Sequence, residues 1–479
     1  MSFWLLLPVF VYFVALLVIA YLTSRNTGLK EGDFENQEYF LAGRGVRRFF
    51  AMVSVVATET SVATVILFPQ AGFKSAFALV WLCAGFIVGR FIVARFYLGV
   101  LYERHHLSIY ATMTDGNAGA QKALSLFYLL AKFISNGVRF YIGGFALHHL
   151  FPEAAIGVAG WILIIAGIAG IYSLSGGLRA VVITDQIQGY VILLMGAALC
   201  GVIAVGIDTD HMRSMLTDVH TYVNFDAQVT NAIFSPALFL GALVLSIGSH
   251  GADQDMLQRV LATRSIDQAR WSMVYSGLGA TIVILLYVGI GFLLRESHFD
   301  IANSEAPLID FVRGMNSPVF SGFFAVLLFA AAMSTLDSAM HSTGAIWKSI
   351  LRDIHKRVDA LPGRLFSFVS LLILVASALL FILPEEKNFL RLAMGSMNYV
   401  NGGLIAATTM FIHRKRSLTL SGVLTALLTG FLITFICNHV LPEDWRPGWT
   451  YVTIISAVGA YALALPVALY TERNSRSIS

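Results

Sequence analysis

Charged residues and cysteines are scarce in this 479-residue sequence. Lys, Arg, Asp and Glu make up 13% of the chain, whereas hydrophobic residues make up 57% and the mean hydropathy is +0.74. So little polar surface cannot cover a water-soluble globule, and this excludes that class. Cys83, Cys200 and Cys437 all lie in apolar stretches, without the spacing of a disulfide framework or a metal knuckle. We expect them to be packing residues.

The sequence also lacks the local patterns of the common enzyme classes. It contains no HExxH helix, no nucleophile elbow and no pair of catalytic carboxylates, and "YSLSGGLRA" does not have the spacing of a phosphate cradle. A basic surface interleaved with aromatic residues, which nucleic-acid binding requires, is absent as well. We therefore expect no enzyme, no organic cofactor and no nucleic-acid partner.

What the sequence has is a series of apolar runs of about 20 residues, long enough for a helix to cross roughly 30 Å of hydrocarbon. The short alternation of a membrane β-barrel is missing. We predict an all-α polytopic membrane protein with about 13 transmembrane helices, the first of them retained because no cleavage site follows it. The predicted spans are 3–23, 49–71, 76–102, 123–150, 155–173, 181–206, 233–250, 272–294, 318–343, 365–383, 392–411, 418–438 and 450–470.

The distribution of basic residues orients these spans. If the N-terminus is outside, the segments that become cytoplasmic hold 21 of the 32 Lys and Arg residues and the outer segments hold 7. This asymmetry follows the positive-inside rule. We expect a multi-pass protein of the inner (plasma) membrane, embedded in the lipid bilayer, with its N-terminus outside and its C-terminus cytoplasmic.

Two spans are interrupted by polar residues. They are "VVATETSVATVILFPQAG" and "LSIGSHGADQDMLQR", which stand near the starts of two five-span blocks, 49–206 and 233–411. Matched broken helices are typical of inverted-repeat transporters, whereas ordinary glycine kinks are the alternative. We expect an N-terminal extra helix and cytoplasmic loop (1–48), a first repeat (49–206), a second repeat (233–411), and two additional helices with a short tail (412–479).

The apolar run that ends in "AAAMSTLDSAMHS" carries a polar stripe. On a helix, Ala331, Ser334, Asp337, Ser338 and His341 share one face. A carboxylate at mid-membrane costs about 2.5–3.5 kcal/mol on the gentlest insertion scale, so Asp337 needs a compensating partner. A hard monovalent cation held by hydroxyl, carbonyl and carboxylate oxygens would supply it, and sodium is the simplest choice. Pairing with His341 is the alternative.

Several segments together resemble the sodium:solute symporter family: "EYFLAGRGVRRFFAMVSVVATETSVAT", "YSLSGGLRAVVITDQIQGYVILL", "QDMLQRVLATRS" and "AAAMSTLDSAMHS". The resemblance covers residues 38–411. It implies a five-plus-five inverted-repeat, LeuT-like core with one helix before it and two after it. The function it implies is sodium-coupled import of a small organic solute by alternating access.

The resemblance also implies ion sites. The main sodium site would use Ala57, Thr60, Ala331, Ser334 and Thr335. Some relatives have a second site, which would use Asp185, Ser334, Asp337 and Ser338 here. Because Asp337 replaces the Ser of those relatives, sodium binding, proton binding and absence of the second site all stay open.

The intramembrane residue Arg139 is a substrate-binding candidate, since a buried arginine is costly and needs a partner. In the sialic-acid branch of the family, an arginine at what looks like this position binds the substrate carboxylate with two hydroxyls, which Ser61 and Thr64 match. An arginine fork suits a carboxylate because two charge-assisted bonds form together. However, Glu59 could neutralise Arg139 instead, in which case a neutral sugar or polyol would be the substrate.

Three further residues qualify this interpretation. Cys83 stands where the sialic-acid branch has a Gln, which puts sialic acid itself in doubt. His250 beside the second break could contact substrate or be structural, and Lys132 could extend to the membrane surface.

A channel and a membrane sensor are the alternative functions from other protein classes. The sequence leaves the oligomeric state open.

Overall fold

The fold is almost entirely helical in the part of the chain that the computed structural model describes, residues 3–26, 33–75, 79–104, 106–217, 236–297, 299–301, 306–354, 356–383 and 389–476. Within these residues we number eighteen α-helices in chain order. They are α1 Phe3–Asn26, α2 Asp33–Leu41, α3 Arg48–Glu59, α4 Val62–Ser75, α5 Val80–Tyr102, α6 Ile109–Met113, α7 Ala118–Leu150, α8 Val158–Val205, α9 Thr209–Thr217, α10 Pro236–Gly251, α11 Gln254–Leu261, α12 Ile266–Glu296, α13 Pro307–Gly314, α14 Pro318–Ile354, α15 Gly363–Leu380, α16 Phe389–Arg414, α17 Leu420–Val440 and α18 Trp449–Arg476.

Eight of these helices are long and apolar enough to cross a membrane, namely α1, α5, α8, α12, α14, α15, α17 and α18, and the bent pair α3 and α4 adds a ninth span. The predicted all-α polytopic architecture is confirmed. By helix length and apolar composition, the described residues contain eight or nine spans rather than the thirteen predicted. The predicted spans 155–173 and 181–206 share α8, while 123–150, 233–250 and 392–411 fall on α7, α10 and α16. Residues 76–78 and 233–235 of the predicted spans lie outside the described residues.

Helix α8 is two spans joined at a glycine. A straight helix of its 48 residues would be about 72 Å long, more than twice the hydrocarbon core. Gly177 has φ +59°, and a Cβ there would lie 2.8 Å from the Tyr39 carbonyl oxygen. Gln188 Nε2 donates to the Tyr172 hydroxyl at 3.1 Å, although sixteen residues along a straight helix would separate them by about 24 Å. The limbs 158–176 and 178–205 therefore fold back on each other.

Helix α14 lies at the centre of the bundle. It is the most buried of the eight membrane-spanning candidates, and it packs against α1, α3, α7, α8 and α15. Helices α16, α17 and α18 pack on one another. The polar stripe of α14 is thus enclosed by other helices rather than by lipid.

The broken helix α3/α4 is fixed in place by close backbone contacts. A Cβ at Gly291 of α12 would lie 1.8 Å from the Pro69 carbonyl oxygen of α4, so only glycine lets the two backbones approach this closely. At the other end, α3 packs against α11, the second half of the other broken helix. The two breaks are therefore held in the same region of the bundle, next to α14.

Candidate functional site

The first break follows from polar residues that end α3. The axes of α3 and α4 differ by 66°. Thr60 has φ −83° and ψ 89°, outside the helical range, and its hydroxyl donates to the Val56 carbonyl at 2.8 Å. Ser61 N donates to the Glu59 carbonyl at 3.1 Å instead of to Ala57. The Ala57 carbonyl is consequently left for a partner outside its own helix.

Two hydroxyls of α14 reach the last turn of α3. Ser334 Oγ donates to the Ala57 carbonyl at 3.0 Å, and Thr335 Oγ1 donates to the Thr58 carbonyl at 3.3 Å. Both hydroxyls also donate to Ala331 O, at 3.2 and 3.3 Å. Four of the five residues predicted for the main sodium site are therefore in contact. The hydroxyl of the fifth, Thr60, stays within its own turn.

This group of hydroxyl and carbonyl oxygens has the chemistry of a hard-cation site. All of its side chains are buried. Within the described part of the chain, no three His, Cys, Asp or Glu residues are placed to hold a metal ion. The ligand set accordingly suits an alkali cation rather than a transition metal.

A buried ion cluster occupies the second break, between α10 and α11. Lys132 Nζ of α7 lies 2.8 Å from Asp253 Oδ2 and 2.7 Å from Asp255 Oδ2. Asp253 also caps α11 by accepting from Asp255 N at 2.9 Å, and it accepts from the Tyr128 hydroxyl at 2.6 Å. The prediction that Lys132 could extend to the membrane surface is wrong, because two carboxylates hold its ammonium inside the bundle.

Glu59 and His250 share Arg90 as a hydrogen-bonding partner. Arg90 of α5 donates through Nη2 to the Glu59 carboxylate and through Nε to His250 Nε2, the latter at 3.0 Å. Because His250 Nε2 accepts from a guanidinium, its proton is on Nδ1, which lies 3.1 Å from the Ser246 carbonyl oxygen. The alternative that paired Glu59 with Arg139 is wrong.

Arg139 is half-buried on α7 and has no ion-pair partner among the described residues. One turn further along, a Cβ at Gly143 would lie 3.5 Å from Val62 Cγ2, at the start of α4. Arg139 lies four residues before Gly143, about 6 Å along α7, and is therefore near the level of the first break. Asn136 lies one turn before Arg139 on the same face, and both atoms of its buried amide lack a hydrogen-bond partner.

The predicted second ion site is divided in the structure. Asp185 Oδ2 accepts from the Ser54 hydroxyl and lies 3.5 Å from Nη2 of Arg259, on α11. The same guanidinium donates to Ser54 Oγ at 2.8 Å and to the Ser338 hydroxyl. Asp185 and Ser338 are therefore joined by Arg259.

Asp337 faces a different set of residues. Its Oδ2 accepts from the Tyr172 hydroxyl, which in turn accepts from Gln188. His341 Nε2 lies 3.0 Å from Ser173 Oγ. The alternative in which Asp337 pairs with His341 is not what the structure shows.

The buried ion pairs of three charged residues were not predicted from the sequence, although a signal was present for two of them. Arg90 and Lys132 lie inside predicted spans, as Arg139 does, and the rule that intramembrane charges need partners applies equally to them. Arg259 was hidden in a segment interpreted only by its resemblance to the family. Its partners are 74 and 79 residues away in sequence, so no local pattern identifies them.

Comparisons with known proteins agree with this architecture. The sodium:solute symporter family model matches residues 39–430. The "Uncharacterized symporter YidK" of Escherichia coli is 24% identical over 360 residues, which are 71% of this chain and 60% of that protein, so the chain spans less than two thirds of its length. The "Sodium/sialic acid symporter NanT" of Aliivibrio fischeri is 23% identical over 457 residues, 88% of this chain and 86% of that protein.

Among solved structures, a sodium-coupled sialic acid symporter in a substrate-bound outward-open state superposes with a TM-score of 0.80 at 19% identity, covering 98% of each chain. This similarity shows the LeuT-like fold. The family match covers most of the chain, and the helices are those of a multi-pass membrane protein. The chain belongs to the sodium:solute symporter family.

Proposed function

We propose that the protein imports a small organic solute together with sodium by alternating access. The observation that carries the proposal is the approach of Ser334 to the freed carbonyl of Ala57 and of Thr335 to the carbonyl of Thr58. A sodium ion among these oxygens would tie α14 to α3, and its departure would release them. Ion binding would thereby bias the position of one broken helix relative to the rest of the bundle.

The energy available from one ion sets the scale of accumulation. A monovalent cation that falls through 100 mV and a tenfold gradient releases about 3.7 kcal/mol. This supports a few-hundred-fold accumulation of a neutral solute at most, and two ions support about 10⁵-fold.

The test is sodium-dependent uptake into proteoliposomes, with N-acetylneuraminate and glucose as the first labelled probes. We expect Ser334→Ala and Thr335→Ala to raise the sodium concentration for half-maximal uptake by about tenfold, since each removes one oxygen ligand. Ser276→Ala is the matched control, because its buried hydroxyl donates to Met273 of its own helix. Unchanged half-saturation in both site variants would remove this site from the mechanism.

For the substrate we propose a carboxylate-bearing solute bound by Arg139, with Ser61, Thr64 and Asn136 as hydrogen-bonding groups. Two observations support this. The guanidinium of Arg139 has no acidic partner within the described structure, and the buried amide of Asn136 offers an unused donor and an unused acceptor on the same face of α7. A bound carboxylate would supply the missing anion and complete these hydrogen bonds.

Arg139→Ala should abolish uptake of the carboxylate. Arg139→Lys should restore little of it, because an ammonium lacks the bidentate fork. A methyl-ester analogue should fail to compete with the free acid. Equal competition by ester and acid would argue against a carboxylate at Arg139.

A neutral sugar or polyol is the second candidate, and Glu59 is the observation that favours it. Its side chain is 24% exposed at the first break, and Arg90 already neutralises its charge. A carboxylate in this position is a strong acceptor for substrate hydroxyls. Sodium-dependent binding of glucose that survives Arg139→Gln but not Glu59→Gln would establish this candidate over the first.

We further propose that the two repeats, 49–206 and 233–411, exchange access around the breaks in the plasma membrane, with the N-terminus outside and the C-terminus cytoplasmic. One break in each repeat lies beside α14, which supports this assignment. A cysteine introduced at Phe3 should react with a membrane-impermeant maleimide on intact cells. Labelling only after lysis would show instead that the N-terminus is cytoplasmic.

A further inference from the structure

A groove of about 630 Å³ lies between the C-terminal ends of α5 and α16, lined by residues from 92–104 and 409–415. The hydroxyls of Tyr97 and Thr409 are hydrogen-bonded at 2.8 Å, which joins the two helices at this groove. Two spans, α17 and α18, separate the end of α16 from the C-terminus, so that end lies on the same side of the membrane as the C-terminus. The proposed orientation therefore puts the groove at the cytoplasmic membrane surface.

Arg95 is a cation inside a span without an anionic partner. It lies seven residues before Tyr102, the last residue of α5, and so about 10 Å from that end of the helix. Its side chain is exposed, and none of the described carboxylates lies within ion-pair distance of it. It belongs to a π-helical turn, Val93–Tyr97, a local feature that is frequent at functional sites. A charge in this position is costly unless a counter-ion meets it.

Basic side chains predominate around the groove. Lys415 directly follows α16, is exposed and forms no ion pair with a described residue. Arg104 has a distant partner outside the groove, Asp115, at 3.4 Å. Among the described lining residues, Glu103 is the one acid. With histidine neutral, the lining thus carries three cations against one carboxylate, and it attracts an anion. The cations are Arg95, Arg104 and Lys415.

An exposed apolar strip leads from the groove toward the membrane core. Val88 and Phe91 precede Arg95 by about two turns and one turn on the same face of α5, and they are 38% and 58% exposed. Phe96, beside Arg95, is 57% exposed. A cation at the end of an apolar strip matches a phospholipid, whose phosphate lies at the surface and whose chains enter the hydrocarbon. A soluble anion would leave the strip uncovered.

We propose that this groove binds the headgroup of an anionic phospholipid, with Arg95 and Lys415 on its phosphate and an acyl chain along Val88 and Phe91. A guanidinium binds phosphate through two parallel hydrogen bonds, and an ammonium adds a point charge. Basic pockets between transmembrane helices on the cytoplasmic side suit such headgroups. The inference goes beyond sodium-coupled import and adds a lipid ligand that joins α5 to α16.

The experiment is native mass spectrometry of the purified, delipidated full chain in detergent, titrated with dioleoyl phosphatidylglycerol or dioleoyl phosphatidylcholine. These lipids share their chains and differ in net charge. One basic residue near a membrane surface favours an anionic lipid by about fivefold. We therefore expect Arg95→Gln and Lys415→Gln each to weaken phosphatidylglycerol about fivefold, and the double variant to weaken it about 25-fold and to lose the preference over phosphatidylcholine.

Two control variants separate a site from general surface charge. Lys122→Gln/Arg473→Gln removes the same charge from the same side of the membrane outside the groove, so phosphatidylglycerol affinity should stay within about twofold of the wild type. Arg95→Lys/Lys415→Arg keeps both charges and should keep the preference for phosphatidylglycerol. The melting temperature of Arg95→Gln/Lys415→Gln in phosphatidylcholine should equal that of the wild type, because neither residue has a described ion-pair partner.

Four results would overturn the inference. They are equal affinity of the wild type for the two lipids, equal loss in the control variant outside the groove, a lower melting temperature of the double variant with unchanged lipid affinity, and a dimer that the double variant dissociates without added lipid. Glycerol phosphate that binds as tightly as phosphatidylglycerol would make this a site for soluble anions instead. All titrations are made without sodium or solute, so failure of the symport proposal would leave these results unchanged.

Discussion

The ion pair between Glu59 and Arg90 allows a quantitative test of how the two breaks are held. Arg90 is fully buried, and 24% of the Glu59 side chain is exposed. Removing one member of a buried ion pair leaves the other charge unpaired and costs roughly 3–5 kcal/mol, whereas removing both is much milder. Glu59→Gln should therefore cost more than Arg90→Gln, because the stranded guanidinium has no access to water.

The assay is a double-mutant cycle on the free energy of unfolding, measured by SDS titration in mixed micelles. We expect the double variant Glu59→Gln/Arg90→Gln to be more stable than the sum of the single effects predicts, by about 2 kcal/mol or more. His250 accepts from Arg90 Nε in the wild type, so its hydrogen bond is lost in both variants of Arg90 and cancels within the cycle.

The matched control is the cycle between Glu59 and Arg139. These residues do not form an ion pair in the structure, so their effects should add within about 0.5 kcal/mol. Arg139→Gln by itself should cost little stability, since no described carboxylate is left unpaired. Additive effects for Glu59 and Arg90, or strong coupling between Glu59 and Arg139, would refute the assignment of partners.

Three more predictions concern the same region. Lys132→Met leaves two adjacent carboxylates unpaired, so it should lower the free energy of unfolding by roughly 3–5 kcal/mol, and adding Asp255→Asn should recover much of this loss. Gly291→Ala should prevent stable folding, judged by size-exclusion chromatography, because its Cβ meets backbone at 1.8 Å; Gly167→Ala, with open space around it, should be neutral or stabilising by up to about 1 kcal/mol. Asn136→Leu should raise the melting temperature without solute and weaken solute binding about tenfold or more; a lower melting temperature would make Asn136 a structural residue.

The features that the sequence predicts are those encoded locally. Apolar length indicates the helices, and the polar residues around Thr60 and Asp253 mark the two breaks where the structure has them. The spacing on α14 places Ser334 on the buried stripe that meets α3. These properties depend on a few consecutive residues, so they are readable without knowledge of tertiary packing.

The partners of the buried charges depend on helix packing and could not be predicted. Arg90 lies 31 residues from Glu59 and 160 from His250 in sequence. Which carboxylate an intramembrane arginine meets depends on the rotation and depth of three helices, and a shift of one residue rotates a side chain by about 100°. The rule that such charges have partners applies to Arg90, whereas the alternative that paired Glu59 with Arg139 is wrong.

The buried charges also link the substrate to the number of ions. With His250 neutral, the charged side chains at the two breaks and on the polar stripe of α14 (331–341) comprise four cations and five anions. They are Arg90, Lys132, Arg139 and Arg259, and Glu59, Asp185, Asp253, Asp255 and Asp337.

These nine side chains thus have a formal charge of −1 before anything binds, and a net charge in a low-dielectric region is costly. Two loaded states are neutral: two sodium ions with a monocarboxylate, or one sodium ion with an uncharged solute. Both carry one net charge per cycle, so electrical recording alone gives the same answer for each. The decisive measurement is parallel flux of ²²Na⁺ and labelled solute in reconstituted vesicles. We expect two sodium ions per carboxylate, and a ratio of one for a carboxylate solute would contradict this charge balance.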